Sequence, residues 1–341
     1  MSVMNARRRL PSRRLIRTTA AATALGLGAL TLAACGNDSA AGDDGKVNVV
    51  ASFYPMKFLA QEIGGKYVSV DSLTKPGVEP HDLELSPQQT GQLSEADLVV
   101  YLKGLQPAVD EAVGQSGVKN VAEATSYTSL ESHGDDVHGE EGHDHGGEEG
   151  HEGHEEHEGH SHETESGEDP HIWLDPVRYA EVAKGVGKEL AKADPDHKAT
   201  YEKNTASLVK RLESLNEEFE KGLEKRKTDT FVTTHAAFGY FAERYGLHEE
   251  AVSGIDPESE PSAARMKELH TVAKEDKVST VFFEDNASDK TAKALAGDLK
   301  LKTGVLSPLE SVKNEKKQDY FSVMRENLSA LRTALNAGSG S

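Results

Sequence analysis

Short runs of apolar, β-branched residues alternate along the chain with segments in which apolar residues recur every three or four positions. The first pattern predicts buried strands and the second predicts amphipathic helices. The predicted strands cover 47–52, 68–73, 98–102, 230–234, 278–284 and 303–306. The predicted helices among them cover 56–64, 86–96, 236–245, 261–276 and 288–299. Strands and helices that alternate in this way are typical of parallel βαβ units, so the pattern predicts two α/β lobes.

A longer helical pattern separates the two sets of strands. It comprises a segment over 176–193 and a second one from Pro195 to about Lys227. Apolar residues at steps of three and four mark one face of the second segment, namely Leu208, Leu212, Leu215, Phe219 and Leu223. About thirty helical residues would span roughly 45 Å. We therefore expect this helix to brace the two lobes, with the N-terminal lobe over 46–175, the connecting helices over 176–227, the C-terminal lobe over 228–336 and a flexible tail over 337–341.

The N-terminus has the pattern of an export signal. Residues 1–17 contain six Arg and no acid, and residues 18–34 are uncharged and mostly apolar. A basic region followed by an apolar one is typical of a secretory signal, and its route, general or twin-arginine, stays open. The only Cys of the chain follows directly, in a Leu-Ala-Ala-Cys sequence that resembles a bacterial lipobox. We therefore expect a signal peptide over 1–34, lipidation at Cys35 and a flexible tether up to residue 45.

A His-rich stretch interrupts the N-terminal lobe over 133–168. It has fourteen Asp or Glu, no Lys or Arg and nine His, and it has no apolar periodicity, so we expect a disordered loop. The histidines are His133, His138, His143, His145, His151, His154, His157, His160 and His162. Interleaved imidazoles and carboxylates predict loose binding of several zinc ions. A solvated charged linker is the alternative.

The charge of the chain has one main source. The net charge of the 341 residues is −20, and the His-rich stretch alone carries −14 of it. An acidic balance argues against nucleic acid as a partner, because phosphate binding needs clustered Lys and Arg. A single Cys excludes an intrachain disulfide framework.

Four metal-capable side chains lie at the ends of predicted strands or in the loops that follow. They are His81 in Glu-Pro-His-Asp, His171 in Asp-Pro-His-Ile-Trp-Leu-Asp-Pro, His235 in Thr-His-Ala-Ala-Phe and Glu284 in Phe-Glu-Asp. Ligands of open α/β sheets bind outside the carboxyl ends of the strands. Three imidazoles and a carboxylate suit a first-row divalent cation, with zinc favoured over magnesium or calcium.

Together with the lipobox, these motifs resemble the zinc-type solute-binding lipoproteins of bacterial ABC importers, in order from Val47 to about Leu335. The resemblance implies two lobes with parallel sheets, joined by one long helix, with Zn²⁺ between them. It implies His81 and His171 as ligands from the N-terminal lobe and His235 and Glu284 from the C-terminal lobe. Asp289 or water is the alternative to Glu284 as the fourth ligand.

The resemblance also implies the partners and the location. They are the permease and ATPase subunits of a zinc importer, and the extracytoplasmic face of the cell membrane, to which lipid on Cys35 would anchor a monomer. Manganese-type relatives have an acid where His235 stands, so the sequence favours zinc over manganese.

Other functional classes have less support in the residues. An adhesin or a zinc-buffering protein is the alternative from a different class, and no motif in the sequence argues for either. A zinc hydrolase is the least favoured, because His151-Glu152-Gly153-His154 spaces its two His by three residues rather than four. We expect no enzymatic activity.

Overall fold

The computed structural model of the chain describes residues 45–133, 168–284 and 290–337. The signal segment, Cys35, Asp289 and the eight histidines of the loop that follow His133 lie outside these residues. The expectations about them are therefore unchanged by the fold described below.

The first sheet has four parallel strands in the order β2-β1-β3-β4. The strands are β1 (Val47–Ala51), β2 (Val68–Ser72), β3 (Leu98–Tyr101) and β4 (Val121–Glu123). Helices α1 (Tyr54–Gly64), α2 (Pro87–Glu95) and α3 (Pro107–Ser116) connect them. Buried apolar residues lie on both faces of this sheet, such as Val49 on one and Val50 on the other. Strands covered on both faces are the reason that the sequence shows continuous apolar runs here.

Two helices follow, α4 (Pro176–Ala193) and α5 (Lys198–Leu223). The side chain of Asp175 accepts a hydrogen bond from the backbone N–H of Val177 and so caps α4. A 3₁₀ turn over Pro195–His197 precedes α5, so the long helix has 26 residues and is shorter at both ends than the sequence predicts. The five apolar residues predicted for its inner face are all buried, which confirms that face.

The second sheet repeats the order of the first, β6-β5-β7-β8, and is also parallel. Its strands are β5 (Thr230–Thr233), β6 (His248–Ala251), β7 (Thr280–Phe283) and β8 (Lys302–Val305). Helices α6 (Gly239–Tyr245), α7 (Ala263–Glu275), α8 (Lys290–Leu299) and α9 (Tyr320–Ala334) belong to this half. The predicted fold class, two α/β lobes with parallel sheets, is confirmed.

One large apolar core joins the two halves. It contains Val49 of β1, Leu215 of α5 and Leu331 of α9 in one continuous cluster of buried residues. Helix α5 packs against α4 and α1, which belong with the first sheet, and against α6 and α9, which belong with the second. The helix therefore braces both sheets, as its apolar face predicts. Among the described residues, no helix combines the length and the apolar character needed to cross a membrane.

The sequence patterns miss four elements, namely β4, β6, α3 and α9. Strand β4 has only three residues, too few for a pattern to register. Strand β6 has the sequence His-Glu-Glu-Ala and is an edge strand. An edge strand can carry charged side chains because one side of it faces no neighbouring strand. Its polar sequence is therefore compatible with a strand although it does not predict one.

Candidate metal centre

His81 lies in the loop that joins β2 to α2. The side chain of Gln106, itself fully buried, donates a hydrogen bond to the carbonyl of Pro80 at 3.1 Å, which fixes the backbone just before the ring. The backbone N–H of His81 donates to Oε1 of Glu79 at 3.0 Å. The imidazole itself is 11% exposed. The loop thus brings His81 to the site while one edge of the ring stays within reach of solvent.

His171 lies just before the 3₁₀ turn that leads into α4, and it is fully buried. Oδ1 of Asp169 accepts hydrogen bonds from Nδ1 of this ring at 2.7 Å and from its backbone N–H at 2.9 Å. A proton held on Nδ1 leaves the lone pair on Nε2, which is the tautomer a metal ligand needs. Asp169 therefore prepares His171 for binding through Nε2.

Trp173 links the loop of His171 to the second half of the molecule. Its indole N–H donates to the carbonyl of Pro308 at 2.7 Å, and its own carbonyl accepts from the hydroxyl of Tyr320 at 2.7 Å. All of these contacts are buried. Trp173 thereby connects the segment that carries His171 to the segment that follows β8.

His235 lies two residues after β5 and is 2% exposed. Its Nδ1 is 2.6 Å from Oε1 of Glu284, and the hydroxyl of Thr234 donates to the same oxygen at 3.1 Å. The ring is thus held in the same way as that of His171, with a carboxylate on Nδ1 and Nε2 directed elsewhere. Neither Nε2 of His171 nor Nε2 of His235 has a hydrogen-bond partner of good geometry among the described residues.

Glu310, in the loop after β8, supplies the fourth side chain of the cluster. It is fully buried, and its Oε1 lies 3.3 Å from Nε2 of His81, from Nε2 of His171 and from Nε2 of His235. The preceding residue, Leu309, has a φ of +59°, a backbone conformation that is costly for a branched side chain. Strain of this kind is concentrated at functional sites, where the surrounding structure maintains it.

The three nitrogen-to-oxygen distances in this cluster match those of a tetrahedral zinc site. Ligand atoms about 2.0–2.1 Å from a central Zn²⁺ lie about 3.3–3.4 Å from one another when they are arranged tetrahedrally. The three nitrogens of the cluster are each 3.3 Å from Oε1 of Glu310. All four atoms lie within 4.8 Å of one another. The cluster can therefore hold a small divalent cation with four protein ligands.

The structure brings together the three predicted histidines but gives Glu284 a different position from the one expected of a ligand. Its Oε1 lies 2.6 Å from Nδ1 of His235, whereas Oε1 of Glu310 lies 3.3 Å from Nε2 of all three imidazoles. Sequence reasoning missed Glu310. The rule that located the other residues would also have found it, because Glu310 is a carboxylate in the loop after the predicted strand over 303–306.

Of the predicted loop histidines, His133 is described. It lies beside Asp169, with its Nδ1 3.1 Å from Oδ2 of that residue. The other predicted loop ligands and the lipidation site Cys35 lie outside the described residues.

Burial and charge act against each other in this cluster. Burial disfavours the charged ring of His171, but the neighbouring Asp169 carboxylate outweighs it and raises the pKa of His171 to about 9. Burial lowers the pKa of His235, but Glu284 and Glu310 together outweigh burial and raise that pKa well above its ordinary value. Burial alone would raise the pKa of Glu310, yet the three imidazoles, whose Nε2 atoms lie 3.3 Å from its Oε1, hold that pKa well below its ordinary value. Without a cation, the cluster therefore holds protons on its rings, which a metal must displace.

The chain is similar in sequence to two proteins whose names refer to zinc. Residues 49–334 match the family described as zinc-uptake complex component A, periplasmic. The chain is 38% identical over 315 residues to the zinc-binding lipoprotein AdcA of Streptococcus pneumoniae, covering 89% of this chain and 58% of that protein. It is 37% identical over 317 residues to the high-affinity zinc uptake system protein ZnuA of Bacillus subtilis, covering 90% of this chain and 94% of that protein. The chain thus spans little more than half of the AdcA protein.

Solved structures with the same fold include a zinc-bound one. The Zn(II)-bound ZnuA-like domain of AdcA from Streptococcus pneumoniae aligns with a TM-score of 0.68 and 33% identity, covering 86% of this chain and 100% of that one. The laminin-binding protein Lmb of Streptococcus agalactiae, described as a bifunctional protein with adhesin and metal transporting activity, aligns with a TM-score of 0.71 and 33% identity. That alignment covers 85% of this chain and 99% of Lmb.

Proposed function

Because the chain belongs to the zinc-uptake complex component A family, we propose that it is an extracytoplasmic protein that captures Zn²⁺ and delivers it to the permease of an ABC importer. One observation carries this proposal above the others. A single carboxylate oxygen, Oε1 of Glu310, lies 3.3 Å from Nε2 of three imidazoles that come from both halves of the molecule.

The proposed ligands of the captured zinc are His81, His171, His235 and Glu310. Imidazole nitrogens suit zinc, while magnesium and calcium prefer six or more oxygen ligands. Manganese is the rival cargo, and a set of three nitrogens and one oxygen favours zinc over it. Asp169 and Glu284 orient two of the rings from behind, as carboxylates around zinc-bound histidines do.

A transport role also fits the closed character of the cluster. A catalytic zinc site has three protein ligands and leaves one position open for water or substrate. Here Glu310 supplies a fourth protein ligand and is fully buried. We therefore propose a binding protein rather than a zinc hydrolase. Among the described residues, no surface feature argues separately for adhesion.

The location and the partners complete the proposal. Lipid on Cys35 would hold the protein, as a monomer, at the outer face of the cell membrane, and a permease and an ATPase subunit would receive the zinc. The His-rich stretch would bind further zinc ions loosely. Replacing Cys35 with Ala should release the protein from the membrane fraction. Retention of the Cys35→Ala protein after a high-salt wash would contradict the anchor.

A matched pair of variants tests the ligand set. Glu310→Gln and Glu284→Gln each replace one buried carboxylate by an amide of the same shape, and zinc binding is measured by competition with a chelator. We expect Glu284→Gln to lose about 10–100-fold in affinity, the range typical of residues that orient a ligand. Glu310→Gln should lose more, because it removes a ligand atom. The reverse order would assign Glu284 as the ligand.

The identity of the metal needs a second measurement. Protein purified without added metal is analysed by mass spectrometry for bound zinc and manganese. About one equivalent of zinc is expected, and one equivalent of manganese would overturn the proposed cargo.

A further inference from the structure

Helices α4 and α5 pack side by side and leave a groove along their outer faces. A Cβ atom on Gly187 would come within 2.2 Å of Oγ1 of Thr205, so only glycine allows the two helices to meet this closely. The groove has a volume of about 900 Å³, which is within the range of sites that bind small molecules. Small or apolar side chains form part of its surface, namely Ala191, Ala206 and Val209. The sequence of the two helices therefore determines the shape of the groove.

The charge of the groove is opposite in sign to that of the whole protein. Five of its lining residues are Lys and two are Glu, a net charge of +3, whereas the chain as a whole carries −20. The five lysines are Lys184, Lys188, Lys192, Lys198 and Lys210. We call this surface the lysine groove. It is suited to an anionic partner.

Three of these lysines are available to such a partner. Lys192 pairs with Glu189 at 3.0 Å, and Lys198 pairs with Glu202 at 3.7 Å. The other three, Lys184, Lys188 and Lys210, are exposed, and no residue that the structure describes forms an ion pair with any of them. An anion in the groove would therefore meet three ammonium groups without displacing a carboxylate from them.

The chain enters the fold at the same edge of the first sheet as the groove. Val47, the first residue of β1, pairs with Val68 of β2. Tyr67, just before Val68, stacks on the ring of His197 with the ring centres 3.8 Å apart. His197 lies at the junction of the two helices and directly precedes Lys198. The lysine groove begins at this junction and extends along both helices.

The proposed lipid anchor lies close to this edge along the chain. Gly45 is ten residues after Cys35, and ten residues reach at most about 33–36 Å when fully extended. An anchored protein therefore keeps this edge of the sheet within reach of the lipid headgroups. The residues between Cys35 and Gly45 include three Asp and no Lys or Arg. An attraction to anionic lipid must therefore come from the folded part of the chain.

The acidic remainder of the protein sharpens this choice of face. An anionic surface repels carboxylates, but charges farther away than about 8 Å are largely screened at physiological ionic strength. The face nearest to the membrane therefore decides whether the contact is favourable. Each Lys near an anionic membrane strengthens binding about fivefold. A tethered protein with many acids should thus turn a basic face toward the lipid.

From these observations we propose that the lysine groove faces the membrane and binds the anionic headgroups of its phospholipids. The inference rests on the proposed function, since it requires the lipid anchor on Cys35. His81 and His171 lie beyond the carboxyl ends of the strands, whereas the groove begins at the amino ends. The metal cluster therefore stays open to solvent when the groove is on the lipid. The anchored protein is thereby held in an orientation suited to the capture of zinc.

The test uses the full-length protein, lipidated in the cell, purified from membranes and reconstituted on two kinds of vesicle. One kind is pure phosphatidylcholine, and in the other one lipid in three is phosphatidylglycerol. Lysines are acetylated with acetic anhydride, and the rate at each position is read by mass spectrometry. Lys184, Lys188 and Lys210 should react severalfold more slowly on the anionic vesicles. This protection should disappear at about 1 M salt, where the Debye length is about 3 Å.

Lysines of the other half of the molecule provide the internal control. Lys267 and Lys274 are exposed and belong to α7, which accompanies the second sheet. Both should react at the same rate on the two kinds of vesicle. Zinc removal by a bulky chelator should also be equally fast on both, because the metal cluster stays clear of the lipid.

A matched pair of triple variants separates the groove from the net charge. The groove variant changes Lys184, Lys188 and Lys210 to Gln, and the control variant changes Lys267, Lys274 and Lys277 to Gln. Both lose three positive charges, and circular dichroism and thermal melting check that both are folded. The two remaining groove lysines should lose their protection on anionic vesicles in the groove variant and keep it in the control variant.

Three outcomes would overturn the membrane contact. They are equal acetylation of the groove lysines on both kinds of vesicle, protection that persists at high salt, and an equal loss of protection in the two triple variants. Failure of the protein to stay on either kind of vesicle would instead contradict the lipid anchor, so the two failures are distinguishable.

Discussion

Two of the three histidines of the cluster are held very differently from the third. The rings of His171 and His235 are buried, and each has a carboxylate within 2.7 Å of its Nδ1. The ring of His81 is partly exposed, and Oε1 of its neighbour Glu79 accepts from the backbone N–H and lies 4.0 Å from Nε2. Rings fixed in advance lose little conformational entropy when a metal binds. The comparison indicates that the rings of His171 and His235 are fixed before a metal binds, whereas His81 lies in the more exposed part of the cluster.

The difference does not follow the two halves of the molecule. His81 and His171 both belong to the half with the first sheet, whereas His235 follows β5 of the second. What separates His81 is its position in the 14-residue loop between β2 and α2, while the other two rings lie close to regular elements. We therefore expect the loop that carries His81, rather than one half of the molecule, to control zinc exchange.

The largest expected effect is the loss of a ligand. At free zinc about 1,000-fold above the dissociation constant, zinc should stabilise the fold by about 4 kcal/mol. Both His171→Ala and His81→Ala should remove most of this gain, as measured by denaturant unfolding with and without zinc. Without zinc they should differ, because His171→Ala leaves Asp169 buried without one of its imidazoles, at a cost of about 1–3 kcal/mol. Equal stability of the two zinc-free variants would contradict the contrast between the rings.

The next effect is that of pH. The Asp169 carboxylate outweighs burial and raises the pKa of His171 to about 9, so at pH 7 zinc must displace a proton from this ring. For one proton, zinc affinity should fall about tenfold per pH unit below that pKa. The reference pKa of about 6.5 would place this fall only below pH 7. Calorimetry at pH 7 in buffers of different ionisation enthalpy should show proton release, and no release would refute the raised pKa.

The stability of the zinc-free protein should change in the opposite sense. A pKa that is higher in the folded state than in the unfolded one contributes stability that is complete below about pH 6.5 and is lost as the pH rises through about 9. The lowered pKa values of Asp169 and Glu310 contribute equally across this window, since both groups stay ionised. Melting temperatures with and without zinc should therefore diverge as the pH rises from 6.5 to 9.

A smaller effect is expected from the carboxylates behind the rings. Asp169→Asn should weaken zinc binding about 10–100-fold, because it removes the carboxylate that fixes the tautomer of His171. Glu79→Gln should change the affinity less than about tenfold, because Glu79 accepts from the backbone N–H of His81 and lies 4.0 Å from Nε2 of the ring, beyond hydrogen-bond distance. Competition with a chelator measures both. A larger loss in Glu79→Gln would mean that the His81 loop is as firmly positioned as the rings of His171 and His235.

The smallest effect concerns a hydrogen bond that supports the loop of His171. Tyr320→Phe keeps a buried ring and deletes the hydroxyl that donates to the carbonyl of Trp173. Tyr179→Phe is its matched control, because the hydroxyl of Tyr179 is also buried but donates to the carbonyl of Pro55. Each should lower the free energy of unfolding by about 1 kcal/mol, and only Tyr320→Phe should also change the zinc dissociation rate. Identical dissociation rates would show that Trp173 does not tie the His171 loop to the site.

Sequence patterns were sufficient for the fold class, and they selected three histidines that the fold brings close together. Buried parallel strands and an amphipathic helix leave strong apolar patterns, and the carboxyl ends of such strands indicate where ligands gather. They selected Glu284, which ends one predicted strand, and missed Glu310, which follows another. The two carboxylates differ in which ring nitrogen of His235 they reach, Nδ1 for Glu284 and Nε2 for Glu310, and only the folded chain determines this.

The position of His133 beside Asp169 could not be predicted from the sequence either. It is the first of nine histidines in one low-complexity stretch, and nothing in the stretch itself separates it from the other eight. Its difference arises from Gly239 and Asp169, which are distant in sequence and meet it only in the folded chain.

The backbone N–H of Asp169 donates a hydrogen bond to the carbonyl of Glu131 at 2.8 Å. This contact has a practical consequence for protein engineering. Since the fold already holds these two residues together, the segment between them can vary in length at little cost. For a flexible segment, each doubling of length costs only about 0.6 kcal/mol in closure entropy. The junction is therefore a natural insertion point for a fluorescent reporter domain, and a zinc biosensor could be built there without cutting through either sheet.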